Sequence, residues 1–174
     1  METLQQISKV NTYVTIAVFG SDIKTAIMPL WAAKTNMPGA WVKKTTNGAI
    51  CNIWDINRGI SSHMFPSLSV DHAVVVIDGD REDNPEVFII DALKIQKSYV
   101  SWTFILVNDN NSTLVGNISK LCVKNRLINY VFLDVNNMTG VKDRIIGLTA
   151  ATIKERKKIA QQRINTYLKS LPSN

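Results

Sequence analysis

An α/β domain, a three-layer sandwich with helices on both faces of a six-stranded, mostly parallel sheet, is what this chain predicts, and three observations carry the prediction. The run His72 to Ile77, HAVVVI, is unbroken and β-branched, and Ala49 to Trp54 is mostly apolar. Strands of that kind are buried on both faces, which requires a helical layer on each side. Such runs alternate along the chain with helical periods, the order of a parallel sheet built from right-handed crossovers. Finally, Asn47-Gly48 stands between two β-prone runs, a strong hairpin signal that makes one neighbouring pair antiparallel.

Taken in order, Tyr13 to Phe19, YVTIAVF, is a first strand running into Gly20 and a polar turn. Lys24 to Lys34 has a helical pattern, with Pro29 ending or kinking it. Gly39 to Thr45 and Ala49 to Trp54 form the hairpin, and His72 to Ile77 is the fourth strand. Pro85 suits the first turn of a helix to about residue 97. Ser101 to Val107 is a fifth strand, and Ser112 or Thr113 caps a helix through about Asn125. Asn129 to Leu133 is the sixth strand. A long helix over 141–169 follows, with Ile145, Ile146, Thr149 and Ile153 facing inward. One domain spans 1–174, its core over 12–169, with no repeat or linker.

Composition excludes several classes. Of 174 residues, 45% are apolar and 20% charged, the balance of a soluble globular protein. No apolar run approaches the roughly 20 residues that span a bilayer, so no transmembrane segment is expected. The first residues lack the layout of a secretion signal, and a cytoplasmic location is expected. Neither a prenylation cysteine near residue 174 nor a glycine at position 2 is present, so stable lipid anchoring is not expected. Cys51 and Cys122 fall in predicted elements and read as buried thiols, and the Asn-x-Ser/Thr sequons carry little weight in that compartment. The net charge is +6, and most of it lies in the last helix, where Lys154, Arg156, Lys157, Lys158, Arg163 and Lys169 face Glu155 alone. A solvated outer face explains this most simply. Peripheral membrane contact through that helix stays open, and nucleic acid is not an expected partner.

The loop between Asp55 and His72 holds Asn57, Arg58, Gly59, Ser61, Ser62, Pro66 and Ser67. It lies past the carboxyl end of a strand, where open α/β sheets place ligands. Here Ile53-Trp54-Asp55, a following glycine and the strand from Val74 to Asp78 resemble the switch II region of Ras-superfamily small GTPases. The family's signature is a hydrophobic residue followed by Trp-Asp-Thr-Ala-Gly; in this chain Gly59 arrives one position later. The order and length of the elements extend the resemblance over nearly the whole chain and imply a Ras-like, P-loop NTPase topology.

The motifs of that family are only partly matched. A phosphate-binding loop curls on glycines so that several N–H groups reach the phosphates, while its Lys and Ser/Thr meet the β/γ phosphates and magnesium. After the first strand stand Gly20-Ser21-Asp22-Ile23-Lys24-Thr25, with three residues between Gly20 and Lys24 where the motif has five, and no second glycine. Asp22 adds a carboxylate that at ~4 Å opposes a phosphate charge by about 4 kcal/mol at a protein surface. An ordinary turn with Asp22 capping the next helix is the simpler reading. Asp55 matches the magnesium-associated aspartate and Gly59 the γ-phosphate glycine, but Ile60, Ser61, Ser62 and His63 follow where a catalytic glutamine is usual.

The base-recognition motif Asn-Lys-x-Asp falls on Asn108-Asp109-Asn110-Asn111. Asn108 fits, whereas Asn111 replaces the carboxylate that accepts both guanine donors, and guanine selectivity should be lost. Thr139 and Gly140 match the last motif. By resemblance, Gly20, Lys24, Thr25, Asn108, Asn111 and Thr139 are the candidate nucleotide contacts, and Thr25 and Asp55 the candidate metal ligands. Asp55, Asp78 and Asp80 at adjacent strand ends offer a divalent-metal alternative, weighed below simple loop capping. No catalytic residue is assigned. The reading preferred is a degenerate small-GTPase-like scaffold, a pseudo-GTPase that binds protein partners through its hairpin and switch-like loops, with Trp41, Asn57, Arg58, His63 and Phe65 at the contact. The alternative is a divergent GTPase of relaxed base choice, in signalling or trafficking, holding a guanine nucleotide with magnesium.

Overall fold

A computed structural model describes residues 5, 10, 12–21, 23–37, 39–44, 49–56, 70–79, 84–95, 102–107 and 112–172. The strands are β1 (Tyr13–Gly20), β2 (Ala33–Lys34), β3 (Ala40–Lys44), β4 (Ile50–Asp55), β5 (His72–Ile77), β6 (Thr103–Val107) and β7 (Tyr130–Asp134). The helices are α1 (Ile23–Trp31), α2 (Glu86–Ile95), α3 (Ser112–Lys124) and α4 (Met138–Ser170). One seven-stranded sheet results, in the order β2-β3-β4-β1-β5-β6-β7. β3 runs antiparallel to both β2 and β4, and every other neighbouring pair is parallel.

The seventh strand corrects the expectation of six. The pattern of Lys24 to Lys34 predicts one helix, but α1 ends at Trp31, shortly after Pro29, and after Ala32 the residues Ala33 and Lys34 join the sheet edge opposite Val42 and Trp41. Thr35 fixes this short strand, since its N–H and its hydroxyl both donate to Ala40 O, at 3.0 and 2.9 Å. Neither Ala33 nor Lys34 has strand propensity, so only the neighbouring β3 makes them a strand. α4 also starts earlier than position 141: Asn137 Oδ1 accepts from Gly140 N–H at 3.0 Å and caps the helix at Met138.

β1, β5 and β6 explain the three layers. All six residues of β5 and all five of β6 are buried, so their alternate side chains must be covered on both faces. On one face Val14, Ile16 and Val18 pack with Ile27 and Met28 of α1 and with Val141, Ile145 and Ile153 of α4. On the other, Ala17, Val75 and Ile77 pack with Phe88, Ile89 and Ala92 of α2 and with Ile118 and Cys122 of α3. Each fully buried Val, Ile or Phe contributes about 1.5–3 kcal/mol. Val74→Asp, a charge in the sheet centre, would unfold the domain.

A polar clamp fixes α4 to the amino ends of β1 and β5. Arg156 donates to Tyr13 O at 2.6 Å and to Asp71 Oδ1, while Asp71 Oδ2 accepts from Thr15 N–H at 2.8 Å. Beside it, His72 is 3% exposed. Its Nδ1 accepts from Trp102 N–H at 3.1 Å. Thr152 Oγ1 donates to Leu148 O, so it accepts at 2.9 Å from His72 Nε2–H. The ring is therefore neutral, with its proton on Nε2. Burial first, and the Arg156 cation second, push its pKa down to about 4.

Candidate functional site

At the other end of the sheet, the carboxyl ends of β1, β4 and β5 bring together most of the described candidate residues. Gly20 closes β1 with φ +124°, beyond the reach of an L side chain, and a Cβ there would lie 1.9 Å from Val76 O. Glycine is required because β5 passes directly against the turn. Ser21 then ties the two strands: its N–H and Oγ both donate to Val76 O, at 3.0 and 3.2 Å. The same Oγ accepts from Asp78 N–H at 3.0 Å. Lys24 N–H donates to Ser21 O at 3.0 Å, which starts α1.

The turn thus folds its polar groups inward. Lys24, only 3% exposed, reaches across the end of β1 to β4. Its Nζ stands 2.8 Å from Asp55 Oδ1 and donates to Ile56 O. Asp55 is 9% exposed, so the pair is close to fully desolvated. Its Oδ1 accepts no aligned hydrogen bond. The contact with the ammonium is a charge contact, and the lysine's directed bond goes to Ile56 O instead. Parallel pairing of Val18 with Asp55 sets this geometry, reinforced by Ile56 N–H donating to Val18 O at 2.9 Å and Asp55 N–H donating to Gly39 O at 2.7 Å.

A phosphate and its magnesium do not fit this arrangement of donors. Ser21 N–H and Lys24 Nζ, the groups a phosphate would need, already face protein oxygens, and Asp55 faces Lys24. Lodging an anion there requires pulling a buried ion pair apart, which costs about 3–5 kcal/mol while a charge is left buried without its partner.

The other sequence candidates are scattered. Thr25 lies in α1, with its side chain outside what the structure describes. Thr139 sits exposed in the first turn of α4. Asn57, Arg58, His63, Phe65, Asp80, Asn108 and Asn111 lie outside the described residues. Asp78 is buried beside Ser21. Among the described residues no group of three or more His, Cys, Asp or Glu is placed to hold a metal ion. Nor is any described helix long and apolar enough to cross a membrane.

Trp41, expected at a partner surface, is half-buried in β3 and packs against the core face shared by α1 and α4. Next to it, a groove of about 490 Å³ opens between the end of α1 and the sheet edge. Pro29, Leu30, Ala33 and Val42 give it an apolar floor, and Lys43 and Lys44 a basic wall. Sequence reasoning missed this groove because it depends on β2, which has no local signal.

No family model and no curated protein matches this chain.

Proposed function

We propose that this chain is a degenerate Ras-like domain, a pseudo-GTPase, that acts as a protein-binding or scaffold module without efficient GTP hydrolysis. One observation carries the proposal: Lys24 and Asp55, which by resemblance would hold phosphate and magnesium, form a buried pair with each other at 2.8 Å. A domain whose phosphate lysine completes its own core folds without nucleotide. The strand order, with β3 as the antiparallel member beside β4, supports the Ras-like reading. Partner binding is assigned to the β3–β4 hairpin, the loops around 35–41 and 57–70, and the groove beside them. A mostly apolar, lysine-walled concavity at a sheet edge suits an extended segment of a protein ligand.

The test is calorimetric titration of the purified, ligand-stripped chain with GDP, GTP, XTP and ATP in the presence of magnesium. No heat is expected with any of them. Binding tighter than about 10 μM, worth roughly 7 kcal/mol, would overturn the proposal and favour the divergent GTPase.

A further inference from the structure

The clamp at Arg156 marks the point where α4 leaves the sheet. Tyr13, which Arg156 holds, is the first residue of β1, so residues 157–170 follow the last contact of α4 with that strand and span about 21 Å at 1.5 Å per residue. In this half of the helix Ala160 is buried and Ile164 and Tyr167 are half-buried, which defines an inward side.

The outward side has its own pattern. Lys154, Lys157, Lys158 and Lys169 recur with Gln161, Asn165 and Leu168 at spacings of three and four, the signature of a single helical face. All seven are exposed. Gln161 and Asn165 bond each other at 3.1 Å. The face holds no carboxylate. The nearest, Glu155, lies off it and reaches Lys158 only at 3.9 Å, with both side chains more than half exposed, a contact of little strength. Lys154, Lys157 and Lys169 have no ion pair among the described residues. Residues 154–169 carry six cations against one carboxylate, so this stretch holds five of the chain's net +6. Leu168 is 52% exposed at the edge of the lysine row, and Leu171, 48% exposed, follows it.

We propose that this lysine face of α4 is a docking surface for an anionic lipid bilayer. A straight, convex row about 22 Å long from Lys154 to Lys169 fits a flat charged surface. Lysine supplies non-directional charge to headgroups, and Leu168 and Leu171 supply aliphatic side chains for the acyl boundary. An extended peptide is read by a sheet edge or a groove, whereas this row lies on the convex side of a helix. Nucleic acid is disfavoured because the face presents neither an aromatic ring for stacking nor an arginine fork. The proposal is independent of whether the domain binds nucleotide.

Co-sedimentation of the full chain with vesicles tests it, comparing pure phosphatidylcholine with phosphatidylcholine containing about 30% phosphatidylserine. Binding is expected only to the anionic vesicles, and it should be lost when salt is raised from about 0.1 to 0.5 M. The double substitution Lys154→Gln/Lys158→Gln should weaken it about 25-fold, from a factor of about five per lysine near the surface. Arg163→Gln provides the decisive control. Arg163 is exposed on the opposite side of the helix, nine residues from Lys154, or about two and a half turns, and its loss should change binding by less than about threefold. An equal loss with Arg163→Gln would mean that net charge alone acts, and would overturn the assignment. So would equal binding to neutral vesicles, no binding at all, or tighter binding to duplex DNA than to the anionic vesicles.

Discussion

Replacing Lys24 by Met leaves the Asp55 carboxylate buried without its cation, and replacing Asp55 by Leu strands the ammonium in the same way. Lys24 and Asp55 are 3% and 9% exposed and 2.8 Å apart, so each single change should cost about 3–5 kcal/mol, the penalty of an uncompensated buried charge. In a domain of this size that is a fall in Tm of roughly 6–20 °C. The double variant Lys24→Met/Asp55→Leu removes both charges together. What remains is Ile56 O, which loses the lysine's hydrogen bond, a loss of about 1–3 kcal/mol. The double should therefore be more stable than either single variant. Urea denaturation followed by circular dichroism gives all four free energies and the coupling between the sites. Additive losses would refute the pair. Single losses below about 1 kcal/mol would place both side chains in water, where a phosphate could reach them, and the proposed function would fall with the pair.

Three further outcomes follow from the same geometry. Gly20→Ala should lose at least about 3 kcal/mol, because its Cβ would meet Val76 O at 1.9 Å and the backbone there has φ +124°; a melt within 2 °C of the parent would contradict the strand contact. His72 gives stability a pH dependence. Its folded pKa lies below the unfolded 6.5, so its contribution is complete above pH 6.5 and is lost as the pH falls towards about 4. The loss reaches about 3 kcal/mol, because the unfolded ring takes a proton that the folded ring refuses. Denaturation midpoints between pH 7 and 4 should show this slope in the parent and not in His72→Gln, and an unchanged slope in the variant would remove His72 as its source. Finally, burial raises the thiol pKa of Cys51 and pushes that of Cys122 up to about 11. Both should resist a thiol reagent in native protein at neutral pH and react after denaturation; fast native labelling would show that the core opens.

Local chemistry made much of the fold legible in the sequence. The β-branched run at 72–77 and the SWTFILV segment around β6 could be buried only as central strands, so the alternation of elements and a mostly parallel sheet followed from period and composition. The boundaries that slipped did so where short-range signals compete. Pro29 did not keep the helical pattern of 24–34 from running on into Ala33 and Lys34. Thr139 and Gly140 draw attention as a family motif, whereas the residue that sets the start of α4 is Asn137 just before them, a plain helix cap. The separation of buried from exposed residues on α4 was visible for Ile145, Thr149 and Ile153, because a period near 3.6 is written in the chain.

What the sequence could not determine was which distant polar groups meet. Lys24 and Asp55 are 31 positions apart, and nothing local distinguishes a lysine that awaits a phosphate from one that neutralises a neighbouring strand. The parallel register of β1 with β4 decides that question, since it brings the end of β4 beside the start of α1 and excludes water from both charges. The same holds for Thr152, Asp71 and Arg156, which look like scattered surface residues until α4 crosses the strand ends, and for the ring of His72, whose hydrogen-bond partners the buried run 72–77 does not reveal. Sequence alone determines which segments must be buried, because burial follows from side-chain polarity and period. Tertiary structure decides where buried charge is neutralised, because a charge is satisfied by whatever the fold places within about 3 Å of it, regardless of distance along the chain.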